Sequence, residues 1–197
     1  MYIINSNFVL GKPIGDLSET RISELKKKFG NEFPEVLRQN EQTIIFKRGV
    51  TALVVSSEQI VYVTQDNAEN LDIKGISNLL LQVNEVLGLS QKAKITVSLE
   101  GTEMFEKNIL EASKGILSEA SEILHAEGIG CRFVIRQEKF RGDIHIEPYL
   151  KDNQKIFYGI GFETEQVDLS EMEELFCSMF SYGTEKARDA ARNIFSL

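Results

Sequence analysis

The strongest constraint in this chain is an order of elements that runs through it twice. The apolar run "YIINSNFVL" reads as a strand, and residues Leu17 to Phe29 as a helix. Asp16 with Glu19 three residues on has the spacing that satisfies free N–H groups at a helix start, and Gly30 supplies a stop. "FPEVLRQN" reads as a turn or a short helical piece. Three β-rich runs follow, "TIIFKR", "TALVVSS" and "QIVYVTQ", and the breaks at Arg48-Gly49 and Ser57-Glu58 suggest consecutive hairpins. Ile73, Ile76, Leu79, Leu80 and Val83 then keep helical spacing from about Asp72 to Leu87.

From there the order restarts. "KITVSLE" reads as a strand, and Glu103 to His125 as one long helix with Phe105, Ile109, Ala112, Ile116, Ala120 and Ile123 along a stripe. "CRFVIRQ", "DIHIEPYL" and "KIFYGIGFE" are three further strands. A last helix starts at Asp168, turns Leu169, Met172, Leu175, Phe176 and Met179 inward, and is expected to break near Gly183 before a short final helix. Each half thus reads β-α-β-β-β-α. The fold class this predicts is α+β, with two tandem repeats at residues 1–90 and 91–197, the second carrying a C-terminal helical extension. A mostly antiparallel sheet would have helices packed on one face and its other face open.

In this order of elements the chain resembles the saddle of the TATA-box-binding-protein fold family. The resemblance implies topology only. The paired phenylalanines on basic strands by which that family wedges DNA are not found here. The segments "NEFPEV" and "IHIEPYLKDNQKIFYGIGFETEQVDLSEMEEL" are similar to parts of a sporadically distributed family of uncharacterised bacterial proteins, which implies no activity.

Charge narrows the partners. The formal net charge is −8, from 30 acidic and 22 basic residues, which disfavours nucleic acid because that binding is driven by Lys and Arg releasing counterions from phosphates. The run Lys26 to Lys28 fits a solvated helix face. No basic start with an apolar run marks a leader, and no apolar stretch approaches the ~18 residues that cross a bilayer. A cytoplasmic location without membrane contact is therefore expected. Cys131 and Cys177 have no metal or redox spacing and are expected to be buried free thiols.

The most suggestive chemistry lies in "RGDIHIEPYLKD", where Asp143, His145, Glu147 and Tyr149 alternate with Ile144, Ile146 and Leu150. Residues two apart on a strand stand about 6.6–6.8 Å apart on one face, so Asp143 and Glu147 are too distant to share an ion with His145. A hairpin through Gln137 to Gly142 would set Arg136 against Asp143 and Arg132 against Glu147 as a charge ladder. A two-residue turn at Asp152-Asn153 would set Tyr158 beside Glu147 and Ile160 beside His145. One residue of slip would instead bring Gly159 and Gly161 beside His145 and open a floor for a ligand.

Arg132, Arg136, Asp143, His145, Glu147 and Tyr158 are accordingly the candidate binding residues, with no catalytic residue, metal or cofactor assigned. The reading they support first is a noncatalytic module that binds a protein or a small ligand on its open sheet face. The alternatives are an enzyme with a His145-centred acid–base or metal-assisted site, and a homo-oligomer, a homodimer for instance, whose role is assembly.

Overall fold

The structure, a computed structural model, describes residues 1–67 and 71–197. Its elements are β1 (Tyr2–Gly11), α1 (Glu19–Phe29), β2 (Glu35–Asn40), β3 (Thr43–Arg48), β4 (Thr51–Ser56), β5 (Gln59–Thr64), α2 (Ile73–Val86), β6 (Lys92–Met104), α3 (Ile109–Lys114), α4 (Ser118–Leu124), β7 (Cys131–Arg136), β8 (Arg141–Pro148), β9 (Lys155–Asp168) and α5 (Met172–Phe195). The strands form one nine-stranded sheet in the order β2-β3-β4-β5-β1-β6-β9-β8-β7. Every pairing is antiparallel. The fold is α+β with an open sheet.

β1 and β6 lie side by side in the middle, with Asn7 facing Ser98 and Val9 facing Thr96. Outward from each, the remaining strands of its own segment follow in reverse chain order. Alternation along the strands decides which face is buried. Phe8 and Leu10 on β1, Ile95, Val97 and Leu99 on β6, and Tyr158, Ile160 and Phe162 on β9 are all shielded from solvent. Their alternate neighbours are not, as the pleat requires of a half-covered sheet.

α2 packs on β5, and α5 covers the buried face over β6, β8 and β9. Met172, Leu175, Phe176, Met179, Gly183, Ala187, Ala191 and Phe195 form its buried stripe, and the Phe176 ring meets Phe8 edge-on at 5.1 Å between centroids. Gly183 does not break this helix. A Cβ there would stand 2.7 Å from Ile160 Cγ2 and 2.9 Å from Phe162 Cε2, so the glycine lets the helix lie close against β9. Packing outweighs the ~1 kcal/mol propensity cost of a helical glycine, and "TEKARDAARNIF" simply continues α5. Buried residues of both segments join one hydrophobic cluster, from Phe29 and Phe46 at one end to Ile146 and Ile156 at the other.

Several expected elements change. "EVLRQN" is strand β2 on the sheet edge, paired to β3. Its mostly exposed, polar sequence gives no alternating signal. The α1 cap is Ser18, whose Oγ accepts from the Arg21 N–H at 3.4 Å, rather than Asp16. The expected long helix over Glu103 to His125 is three pieces. β6 continues to Met104 because β9 is long enough to pair with it there, α3 stops at Gly115, and α4 follows. Ile109 is buried, whereas Leu117, Ile123 and Leu124 are exposed. Both cysteines are free as expected, but neither is buried: Cys131 is half-buried and Cys177 exposed. Among the described residues no helix is long and apolar enough to cross a membrane.

Candidate functional site

β7, β8 and β9 carry the candidate residues, and the two hairpins that join them fix what stands beside what. The first hairpin closes tightly, with the Gln137 N–H donating to the Phe140 carbonyl at 2.8 Å. Arg136 therefore faces Arg141, Val134 faces Asp143, and Arg132 faces His145. This corrects the expected pairs Arg136–Asp143 and Arg132–Glu147 by two residues. The face is unchanged because the side-chain period is two.

The second hairpin differs by one residue, which matters more. Leu150 to Gln154 form a five-residue loop between Tyr149 and Lys155, which bond at 2.9 Å. The odd loop slips the register, so His145 faces Gly159, Asp143 faces Gly161 and Glu147 faces Phe157. Tyr158 consequently turns to the helix side and is not a residue of the open face. It is fully buried, and its hydroxyl donates to Glu103 Oε2 at 3.2 Å. Burial, reinforced by the Glu103 charge, pushes its phenol well above the ordinary tyrosine range.

Across the open face the ladder builds rows. One row runs Asn7, Ser98, Gly161, Asp143, Val134; the next runs Val9, Thr96, Glu163, Arg141, Arg136. On the other side of β1 the second row continues as Val61, Val54, Ile45 and Leu37. That row is thus apolar over β2 to β5 and charged over β7 to β9, whereas the first row continues as Val63, Ala52, Lys47 and Glu35.

In the charged half Asp143 divides its oxygens between two partners. Oδ2 accepts from the Arg132 guanidinium at 2.7 Å, and Oδ1 lies 2.9 Å from His145 Nε2. Glu163 is held by Lys94 and by Arg141 at 3.3 Å. The Lys94 hydrogen bond first, and then the Arg141 contact, hold its carboxyl below the usual carboxylate range. Arg141 also reaches Glu165 at 3.3 Å. These pairs are exposed enough that each contributes about 0–1 kcal/mol, so the row is not a stability device of any weight.

The two glycines of β9 differ. A Cβ on Gly159 would meet His145 Cβ and the Phe157 ring at 3.6 Å each, so that position is flanked by side chains. Around a Cβ on Gly161 no atom of a described residue lies within 4 Å. A shallow depression of ≈ 490 Å³ opens there, with Arg132, Val134, Arg136, Arg141 and Glu163 around it. Sequence reasoning identified Arg132, Arg136 and Asp143, and named Gly161 as a ligand floor under the one-residue slip that the chain adopts, but missed Arg141 and Glu163. The signal was present: Glu163 and Gly161 alternate with the large apolar residues Ile160 and Phe162, which belong on the covered face.

His145 and Glu147 lie farther along β8, outside the depression. Among the described residues no group of three or more His, Cys, Asp or Glu side chains is placed to hold a metal ion. No protein-family model matches the chain, and no curated protein matches it.

Proposed function

We propose that this chain is a noncatalytic, cytosolic binding module that receives its ligand noncovalently on the open face of the sheet. One observation carries the reading: the uncovered backbone at Gly161 lies in a depression rimmed by arginines, on a face whose opposite side at β6, β8 and β9 is packed into the core. The half-exposed position of His145 supports binding over acid–base catalysis, which works best from a pocketed group. The mirrored strand order about β1 and β6 supports an internal duplication of the strand–helix–strands–helix unit and the saddle resemblance. An amide-resolved NMR screen of the full chain against small polar fragments tests the reading. Responding amides should gather on β6, β8 and β9 around Ser98, Asp143 and Gly161. Hits confined to the helix side would dismiss it.

A second reading has its own observation. α4 leaves Ile123 78% and Leu124 74% exposed, which suits self-association. Light scattering at micromolar concentration should then give a multiple of the monomer mass. Ile123→Ser should restore the monomer with a stability change within about 0.5 kcal/mol, as for other exposed sites. A wild-type monomer removes this option.

A further inference from the structure

Resting on the binding reading above, we propose that the depression over Gly161 is an anion subsite. In it Arg136 and Arg141 hold the carboxylate or phosphate of a small ligand whose apolar body lies over Gly161 and Val134.

The charge arrangement points there. Arg136 and Arg141 are directly opposed across β7 and β8, and like charges so placed repel. Arg141 is compensated by Glu163 and Glu165, and Arg132 by Asp143. The guanidinium of Arg136 has no hydrogen bond or ion pair with any described residue. With their ion-pair partners counted, the guanidiniums of Arg132, Arg136 and Arg141 and the Lys94 ammonium stand there against three carboxylates, of Asp143, Glu163 and Glu165. A local positive excess in a chain of net charge −8 is a feature of this place and not of the surface at large. The planar fork of arginine matches oxyanions bidentately, so one carboxylate or phosphate between the opposed pair would relieve the repulsion.

The shape agrees. Val134 is 84% exposed and lies in the same row as Gly161 with Asp143 between them. Two strand spacings make that about 10 Å, a span that one aromatic ring or a short apolar body would cover by lying across the Asp143 side chain that Arg132 holds. Gly159 is flanked by the His145 and Phe157 side chains, which bound the gap along β9.

The test is an NMR titration of the full chain at low ionic strength with phenyl phosphate, benzoate and neutral benzyl alcohol. At least one anion should shift the amides of Gly161, Val134 and Arg136 saturably, and the tighter of the two identifies the oxyanion. Arg136→Gln should weaken it about tenfold, as loss of a charged hydrogen bond does. Gly161→Val should weaken it at least as much by filling the floor, without lowering the melting temperature. Either variant binding like wild type overturns the subsite. If benzyl alcohol binds at Gly161 as well as the anions do, the anion assignment falls while the sheet-face reading stands. If no probe shifts any amide of the open face, both fall.

Discussion

Replacing Asn84 with leucine is expected to cost about 3 kcal/mol, because it strands a buried cation. Lys12 is only 5% exposed and Asn84 not at all. Lys12 Nζ donates to Asn84 Oδ1 at 2.6 Å and to the Ser90 carbonyl, and among the described residues no carboxylate pairs with it. Asn84 Nδ2 in turn donates to the carbonyls of Leu89 at 3.4 Å and Ser90 at 3.3 Å. The cluster ties the turn after α2 to the end of β1, just where the chain passes into β6. Arg21 adds to it from α1, donating to the Ile14 carbonyl at 2.8 Å and to Leu87 at 3.4 Å.

For a chain of this size the loss corresponds to about 6–12 °C in melting temperature. Lys12→Met in the same background should recover much of it, since an apolar pair leaves no unmatched charge. Simple additivity of the two single losses would show that the contact is not the lock.

Burial also holds the Lys12 ammonium below the ordinary lysine range. Between that lowered value and about 10.5, the unfolded chain binds more protons at this site than the folded one. Stability from Lys12 therefore rises with pH through the window, and its deficit is full below it. Denaturant midpoints at pH 8 and pH 10 should converge between wild type and Lys12→Met in that sense. Above pH 10 the buried Tyr158 and the half-buried Tyr62, whose phenols are both raised, act the other way.

Faces were easier to read from this sequence than neighbours. In "DIHIE" the two-residue period sorts buried from less buried positions by itself. Register depends on loop length, and "YLKDNQK" contains a plausible two-residue turn that the chain does not use. The apolar content of β9 could have corrected this. Ile156, Tyr158, Ile160 and Phe162 form one face and Phe157, Gly159, Gly161 and Glu163 the other, and only the first belongs with Ile144 and Ile146 under α5. Helix boundaries failed for a different reason. The apolar spacing from Phe105 to Ile123 is real, but pairing with β9 keeps residues through Met104 extended, and Gly115 ends α3 before the stripe is complete. At Gly183 propensity pointed to a break, and contact with Ile160 decided otherwise.

The glycines flanking the β8–β9 ladder give the sharpest test of that register, because they should respond in opposite directions. Gly142 faces Phe162 on β9 and Ile135 on β7. A Cβ there would intrude on the Gly161 carbonyl oxygen and stand 2.8 Å from both the Gly161 carbonyl carbon and Phe162 Cα. These are backbone atoms of a paired strand, so nothing can swing aside and the two strands must part. Gly142→Ala is expected to lose about 3 kcal/mol, at the upper end of overpacking costs. Arg141 and Asp143 flank it, so the arginine rim should lose its geometry as well. Gly161 points to the other side of the sheet, where an added side chain meets nothing, and its φ is not in the left-handed region. Valine there restricts the unfolded chain and suits a strand, so it should gain about 0.5–1 kcal/mol. Thermal melts of the two variants should therefore move apart, alanine at 142 downward and valine at 161 level or upward. A Gly142→Ala protein that melts with wild type would mean that β8 does not lie against β9 in this register. The depression, its floor and the opposed arginines would then have no structural basis.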